Sequence, residues 1–172
     1  MVRVLCVIDY QVDFVTGVLG SADADSIAPS IQAKVGEYLS NGDIVCFTRD
    51  VHDPSSYGGS CEGRHIPPHC VKGTPGCELD PRMIPLAEGC RVFDKETFGS
   101  RELVDYLVSV GATEVEIAGV ATNICVLANA VLVRTFLPDA KVTVDRRYVA
   151  SYDRALGEAA LGALASMCVD VI

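Results

Sequence analysis

The chain has 172 residues, 49% of them hydrophobic, and a formal net charge of −9. That length suits a single domain, residues 1–172, with a real core, and the acidic balance argues against nucleic-acid or anionic-membrane partners. No signal peptide is expected, because the apolar run after Met1-Val2-Arg3 stops at Asp9, and the most apolar stretch, Ile117 to Leu137, is too interrupted by Thr122, Asn123, Asn129 and Arg134 for a membrane span.

Val4 to Ile8 is a continuous apolar run, the pattern of a central parallel strand covered on both faces. Ile27, Ile31, Val35 and Leu39 recur every four residues and predict an amphipathic helix, with Pro29 in its first turn and Asn41-Gly42 at its end. Asp43 to Thr48 is a second strand, followed by Arg49-Asp50-Val51-His52. Residues 53–90 are rich in Pro and Gly and show no sustained periodicity, and a loop this long in a compact domain is usually functional. Arg91 to Asp94 is a short strand ending at Lys95. Ser100 caps a helix from Arg101 to Val110, which Gly111 ends.

Val115 to Ala118 reads as a buried strand, Val126 to Leu137 as a buried helix, and Gly119 to Val126 as the turn between them. Lys141 to Val144 is a further strand, Asp153 to Met167 a helix and Cys168 to Ile172 a last strand. Alternating strands and helices predict an α/β fold, a three-layer αβα arrangement around a mostly parallel six-stranded sheet.

The eight cysteines carry no CxxC pair, and three of them, Cys6, Cys46 and Cys168, fall in predicted strands as buried thiols would. A reduced, cytoplasmic protein is the expected setting.

In a parallel sheet all strand ends open on one edge, where ligands bind. Asp9, Lys95 and Cys125 each follow a predicted strand, so an acid, a base and a thiol converge there. The first N–H groups of a helix carry partial positive charge, and a neighbouring ammonium favours a thiolate, so Cys125 is a candidate nucleophile in its thiolate form. Each residue alone also has a plain reading: a buried hydrophobic thiol, a turn-capping Asp, a solvated Lys. In the loop, Asp50 and His52 lie two apart and His69 follows in Pro67-Pro68-His69-Cys70. One carboxylate and two imidazoles suit a divalent first-row metal, while surface histidines on a polar loop are the plain alternative.

Val7 to Phe14 (VIDYQVDF), Asp94 to Ser100 (DKETFGS) and Gly119 to Val126 (GVATNICV) resemble the three signature stretches of the isochorismatase-like cysteine hydrolases, in order and over nearly the whole chain. The resemblance implies a Rossmann-like fold, an Asp9–Lys95–Cys125 catalytic triad, a cis peptide between Val120 and Ala121, and an oxyanion hole from the N–H groups of Ala121 and Cys125. The segment RDVH with PPHCVKGTPG resembles the nicotinamidase subgroup. That implies one zinc, iron or manganese ion held by Asp50, His52 and His69, with Glu62 as the fourth ligand and His65 as its rival. It also implies a small amide substrate, nicotinamide, with Phe14, Phe98 and Val120 in the substrate pocket and a place in pyridine-nucleotide salvage. Ile66 stands where many such proteins have a pocket aromatic, and Asn123 where Asp is common, so another amide or carbamoyl substrate stays open. A non-catalytic binding homologue is the alternative of another class. Assembly into dimers or larger forms is common in the family, which leaves a homo-oligomer open.

Overall fold

A computed structural model describes all 172 residues. Six strands form one sheet: β1 (Arg3–Ile8), β2 (Ile44–Asp50), β3 (Arg91–Lys95), β4 (Glu114–Val120), β5 (Lys141–Ala150) and β6 (Asp170–Val171). Their order is β3-β2-β1-β4-β5-β6 and every pairing is parallel. The chain order reverses between β1 and β4, so the switch point of a doubly wound sheet lies between them. Gly119 permits the tight β1–β4 approach. It has φ +112, and a Cβ there would run into the Ile8 carbonyl.

The helices are α1 (Val12–Val15), α2 (Ala22–Ser26), α3 (Ala28–Ser40), α4 (Ile84–Ala87), α5 (Arg101–Ser109), α6 (Leu127–Phe136) and α7 (Arg154–Ser166). Two cores flank the sheet. Leu103, Leu107, Val126, Ala130, Leu161 and Leu164 of the α5–α7 side pack on Val4, Cys6, Ile8, Val115 and Ile117. On the other face, Phe14, Ile31, Val35 and Tyr38 join Cys70, Cys77, Leu79 and Met83 over Leu5, Val7 and Phe47. β1 is buried along its length because both cores need it, which explains its unbroken apolar run.

Ser100 and Asp153 cap α5 and α7 through hydrogen bonds from Leu103 N–H (3.2 Å) and from the N–H groups of Ala155 (2.8 Å) and Leu156 (3.1 Å). Four differences from the sequence reading have local causes. In α3, Tyr38 takes the buried place expected of Leu39, which is 41% exposed. A helix repeats every 3.6 residues, so three steps of four drift about 120° around the axis. Strand β5 runs on to Ala150, although the charged run Asp145-Arg146-Arg147 masks it. Buried Asp145 accepts hydrogen bonds from Arg147 N–H (2.9 Å) and Nε (3.0 Å) and is thereby satisfied. Cys168 is exposed in a turn with φ +61, not a buried strand thiol. Residues 53–90 hold three short 3₁₀ turns (Tyr57–Gly59, Glu62–Arg64, Pro75–Cys77) and α4. That loop is stitched down by Asp13, whose carboxylate accepts from Cys70 N–H at 2.8 Å. Gly76 lies so close to this carboxylate that any side chain would collide with it.

Candidate active site and metal centre

The C-terminal ends of β1, β2, β3 and β4 bring Asp9, Asp50, Lys95 and the Ala121–Cys125 turn to one edge of the sheet. Asp9 leaves β1 with φ +45, a conformation Asp tolerates better than most residues. Thr48 fixes it, donating to Oδ1 at 2.6 Å and accepting from Asp9 N–H at 3.1 Å. Lys95 Nζ lies 2.7 Å from Asp9 Oδ2, 3.6 Å from Asp50 Oδ1 and 3.7 Å from Cys125 Sγ. The Lys95–Asp9 contact is an ion pair without hydrogen-bond alignment, since Asp9 Oδ2 has no directed donor. The three residues expected to form a triad therefore meet, all buried.

Cys125 sits in a single π-helical turn, Thr122–Val126, that leads into α6. The Val120–Ala121 peptide is cis, as expected. Ala121 N–H makes no hydrogen bond within the protein, while the Ala121 carbonyl accepts from Ile124 and Val126. Asn129, one turn after Cys125, ties the nucleophile's turn to the loop after β3. It donates to the Cys125 carbonyl at 2.8 Å and the Phe98 carbonyl at 3.1 Å, and it accepts from Ser100 N–H at 2.9 Å.

Burial, and then the charge of Asp9, push the Cys125 thiol well above its ordinary range, and Lys95 opposes this. Burial also raises Asp9 above the ordinary carboxylate range against the pull of Lys95, which makes it a stronger base than an exposed Asp. Burial opposes charge on Lys95, but the negative charges of Asp9 and Asp50 outweigh it and favour the ammonium.

Beside this chain of groups, Asp50, His52, Glu62 and His69 gather their donor atoms within 4.8 Å of one another. Asp50 Oδ2 is 3.0 Å from His52 Nε2 and 3.3 Å from His69 Nε2, and Glu62 Oε1 is 3.5 Å from His69 Nε2 and 3.8 Å from His52 Nε2. Donors bound at about 2.0–2.2 Å to one divalent ion sit roughly 3.0–3.5 Å apart, so the set fits a metal. Asp50 Oδ1, buried with no hydrogen-bond donor, is a further sign of a cation site. Burial opposes charge on Asp50, but His52, His69 and Lys95 overcome it and hold the carboxyl far below its usual range. Half-buried Glu62 is pushed up instead, by its partial burial and then by the charge of Asp50. His69 Nδ1 lies 2.9 Å from the Pro67 carbonyl and 3.2 Å from the Tyr57 hydroxyl, which turns Nε2 toward the cluster. His65 is not in the cluster; its Nδ1 engages the Cys61 carbonyl at 2.9 Å.

A cavity of about 250 Å³ joins the two groups and is lined by Asp50, Glu62 and His69 on one side and Ala121 and Cys125 on the other. Phe14, Leu19, Ile66, Phe98, Ile124 and Tyr152 close it with apolar surface. Phe14 also stands edge-on to His69 with ring centroids 5.3 Å apart. Phe14 and Phe98 are thus cavity residues as expected. Val120 is not: as the last residue of β4 its side chain is buried in the α3-side core, and the pleat turns it away from the cavity.

Sequence reasoning missed Gln11, Thr48, Tyr57 and Tyr152, and took Asn129 only as an interruption. Gln11 clamps Asp50, accepting from its N–H at 2.7 Å and donating to its carbonyl at 2.8 Å and to the Cys77 carbonyl at 2.7 Å. A signal existed for two of these. A lone amide in an apolar helix one turn after Cys125, and a Gln inside the first motif, are polar residues in places that bury them.

A family model for the isochorismatase domain matches residues 3–172, so the chain belongs to the isochorismatase family of hydrolases. It is 30% identical over 140 residues to the nicotinamidase/pyrazinamidase of Mycobacterium tuberculosis, covering 72% of this chain and 74% of that one. The fold matches the crystal structure of the nicotinamidase PncA from Bacillus subtilis with TM-score 0.88, 30% identity and 99% of both chains covered. It also matches the pyrazinamidase of Pyrococcus horikoshii in complex with zinc, with TM-score 0.87, 28% identity and coverage of 99% and 98%.

Proposed function

We propose that this hydrolase cleaves nicotinamide to nicotinate and ammonia through a thioester on Cys125, in a site completed by one divalent metal. The observation that carries the reading is the shared cavity: the thiol of Cys125 and the donor set of Asp50, Glu62 and His69 line the same small space. Its volume is below the roughly 300 Å³ at which drug-sized pockets begin, which suits a single-ring amide. The nicotinamidase and pyrazinamidase relatives support the same substrate class.

A divalent metal held by Asp50, His52, Glu62 and His69 would supply a Lewis acid able to anchor the pyridine nitrogen of the substrate. The zinc in the Pyrococcus relative favours zinc, with iron and manganese compatible with the same donors.

Phe14 and Phe98 flank the ring and Ile66 closes the position of the expected aromatic. Asp9, whose proton affinity burial has raised, accepts the Cys125 proton as sulfur attacks the amide carbon. Lys95, 3.7 Å from the sulfur, stabilises the charge that develops on it. The unpaired Ala121 N–H, with that of Cys125, receives the carbonyl oxygen as it becomes an oxyanion. Asp9 then returns its proton to the departing nitrogen, which leaves as ammonia. It next takes a proton from water, whose oxygen attacks the thioester carbon, and Cys125 regains a proton as nicotinate leaves.

The test is ammonia release from nicotinamide by purified protein, against a panel of carbamoyl and aliphatic amides. Turnover of nicotinamide by wild type and none by Cys125→Ala is expected. Preference for a carbamoyl compound would overturn the substrate, and thiol-independent turnover the nucleophile.

A further inference from the structure

A second cavity adjoins the one that holds Cys125. It measures about 480 Å³, against about 250 Å³, opens to solvent, and has His52 and Glu62 of the donor set as part of its wall. We infer that this outer chamber is the route by which the metal reaches Asp50, His52, Glu62 and His69, with Glu96 and His65 as the residues that pass the ion inward. The inference rests on the metal reading above.

The chamber's chemistry selects a cation. Asp53, Glu62 and Glu96 line it, no lysine or arginine does, and the whole chain carries a net charge of −9. Acid-lined clefts on a negative protein concentrate cations and raise their association rates. Asp53 is partly engaged, because its Oδ1 accepts from Ser55 N–H at 2.8 Å and Ser55 Oγ at 2.6 Å. Glu96 makes no hydrogen bond or ion pair and is free to meet an incoming ion. His65 Nδ1 lies 2.9 Å from the Cys61 carbonyl, which leaves Nε2 without a partner in the protein. It lines both cavities at the border of the donor set.

The reaction cavity is the poorer entrance. Phe14, Leu19, Phe98, Ile124 and Tyr152 form its rim. A hydrated dication crossing apolar surface loses water contacts without replacement, whereas in the chamber carboxylates and an imidazole exchange for water one at a time. Deep in the site, the orphaned Asp50 Oδ1 gives the ion a further charge to move toward. The ion and the amide therefore reach the same centre through adjoining cavities, with Glu62, His65, Ile66 and Phe98 lining both.

The test measures zinc alone. Metal-free protein is mixed with zinc in a stopped-flow instrument with a zinc-responsive dye, and release is followed with excess chelator. Two variants keep the test independent of one protein's folding: Glu96→Gln removes the charge, and Thr97→Trp fills the chamber from an exposed position that lines it alone. Both are expected to bind one zinc per chain at equilibrium yet take it up and release it about two- to tenfold more slowly than wild type. Ile124→Trp, which narrows the reaction cavity, is expected to leave zinc kinetics unchanged while impairing amide turnover. Wild-type zinc kinetics in both chamber variants, or slowing by Ile124→Trp instead, would overturn the route and leave the metal site standing. Failure of wild-type protein to bind zinc, iron or manganese at one per chain would overturn the metal reading, and the route with it.

Discussion

The two halves of the site are built in different ways. Asp9, Lys95 and Cys125 stand at the ends of neighbouring parallel strands or in the turn that follows, so backbone ladders on either side fix their spacing. Of the metal-binding candidates only Asp50 has that support. His52, Glu62 and His69 lie outside the strands: one short parallel bridge to Val71 holds His52, and single side chains hold the chain around it, Gln11 at Asp50, Asp13 at Cys70 and Tyr57 at His69. A ladder shares its load over many hydrogen bonds, and a clamp concentrates it in one residue. The sheet edge should tolerate change around it, and the loop should fail at its clamps.

The comparison breaks most sharply if Cys125→Ala retains activity. Ammonia release from nicotinamide should fall by at least about a thousandfold, because no other group in the cavity can form the thioester. The protein should stay folded by circular dichroism, since the sheet does not depend on that sulfur.

Asp9→Asn and Lys95→Met come next. Each leaves a charge buried without its partner, a change that destabilises by about 3–5 kcal/mol, and each should abolish turnover. Urea unfolding and ammonia assays read the two effects separately. Because Asp9 works as a carboxylate and burial raises its proton affinity, wild-type kcat/KM should be full above the Asp9 pKa and fall as pH drops through it. The falling limb should lie above the ordinary Asp value near about 3.9, and a limb at or below that value would contradict the assigned base.

Gln11→Ala tests the loop side. It strips partners from Asp50 N–H and from the Asp50 and Cys77 carbonyls, each lost partner being worth about 1–3 kcal/mol. Zinc affinity should fall about 10–100-fold, as for other supports of metal ligands, and isothermal titration measures it. Removing the metal by chelation should loosen residues 53–76 first, seen as faster amide exchange there than in β1 or β4. Equal exchange in both regions would erase the contrast. The smallest effect is expected for Tyr57→Phe, which removes one hydroxyl beside His69 and should weaken zinc binding by about 0.5–1.5 kcal/mol.

The same division governs what could be read from the chain. Continuous apolar runs such as Val4–Ile8, caps such as Ser100 and Asp153, and residues that follow strands are local patterns, and they were enough to give the parallel sheet and bring Asp9, Lys95 and Cys125 to one edge. The spacing Asp50-Val51-His52 with His69 marked a metal set for the same reason. Short helices such as α1 and α2 left no periodic trace, and Asp145-Arg146-Arg147 hid the second half of β5 because charge was satisfied inside the strand. Family resemblance put Val120 in the pocket, but the pleat of β4 turns it into the core.

Sequence by itself therefore determined the fold class, and it named the candidate nucleophile with its two candidate partners and the donor types that would suit a metal, because each depends on residue identity at short range. Only the tertiary structure showed that burial and the charge of Asp9 push the Cys125 thiol up against the pull of Lys95, since burial and electrostatic fields are sums over neighbours distant in the chain. Resemblance named Glu62 as the fourth ligand and His65 as its rival; the tertiary structure brings Glu62 into the donor cluster and leaves His65 outside it, a distance that a three-residue difference along a loop does not carry. The tertiary structure alone separated a small apolar cavity at the thiol from a larger acidic chamber walled in part by His52 and Glu62. A cavity is a property of what surrounds it, and no stretch of chain contains one.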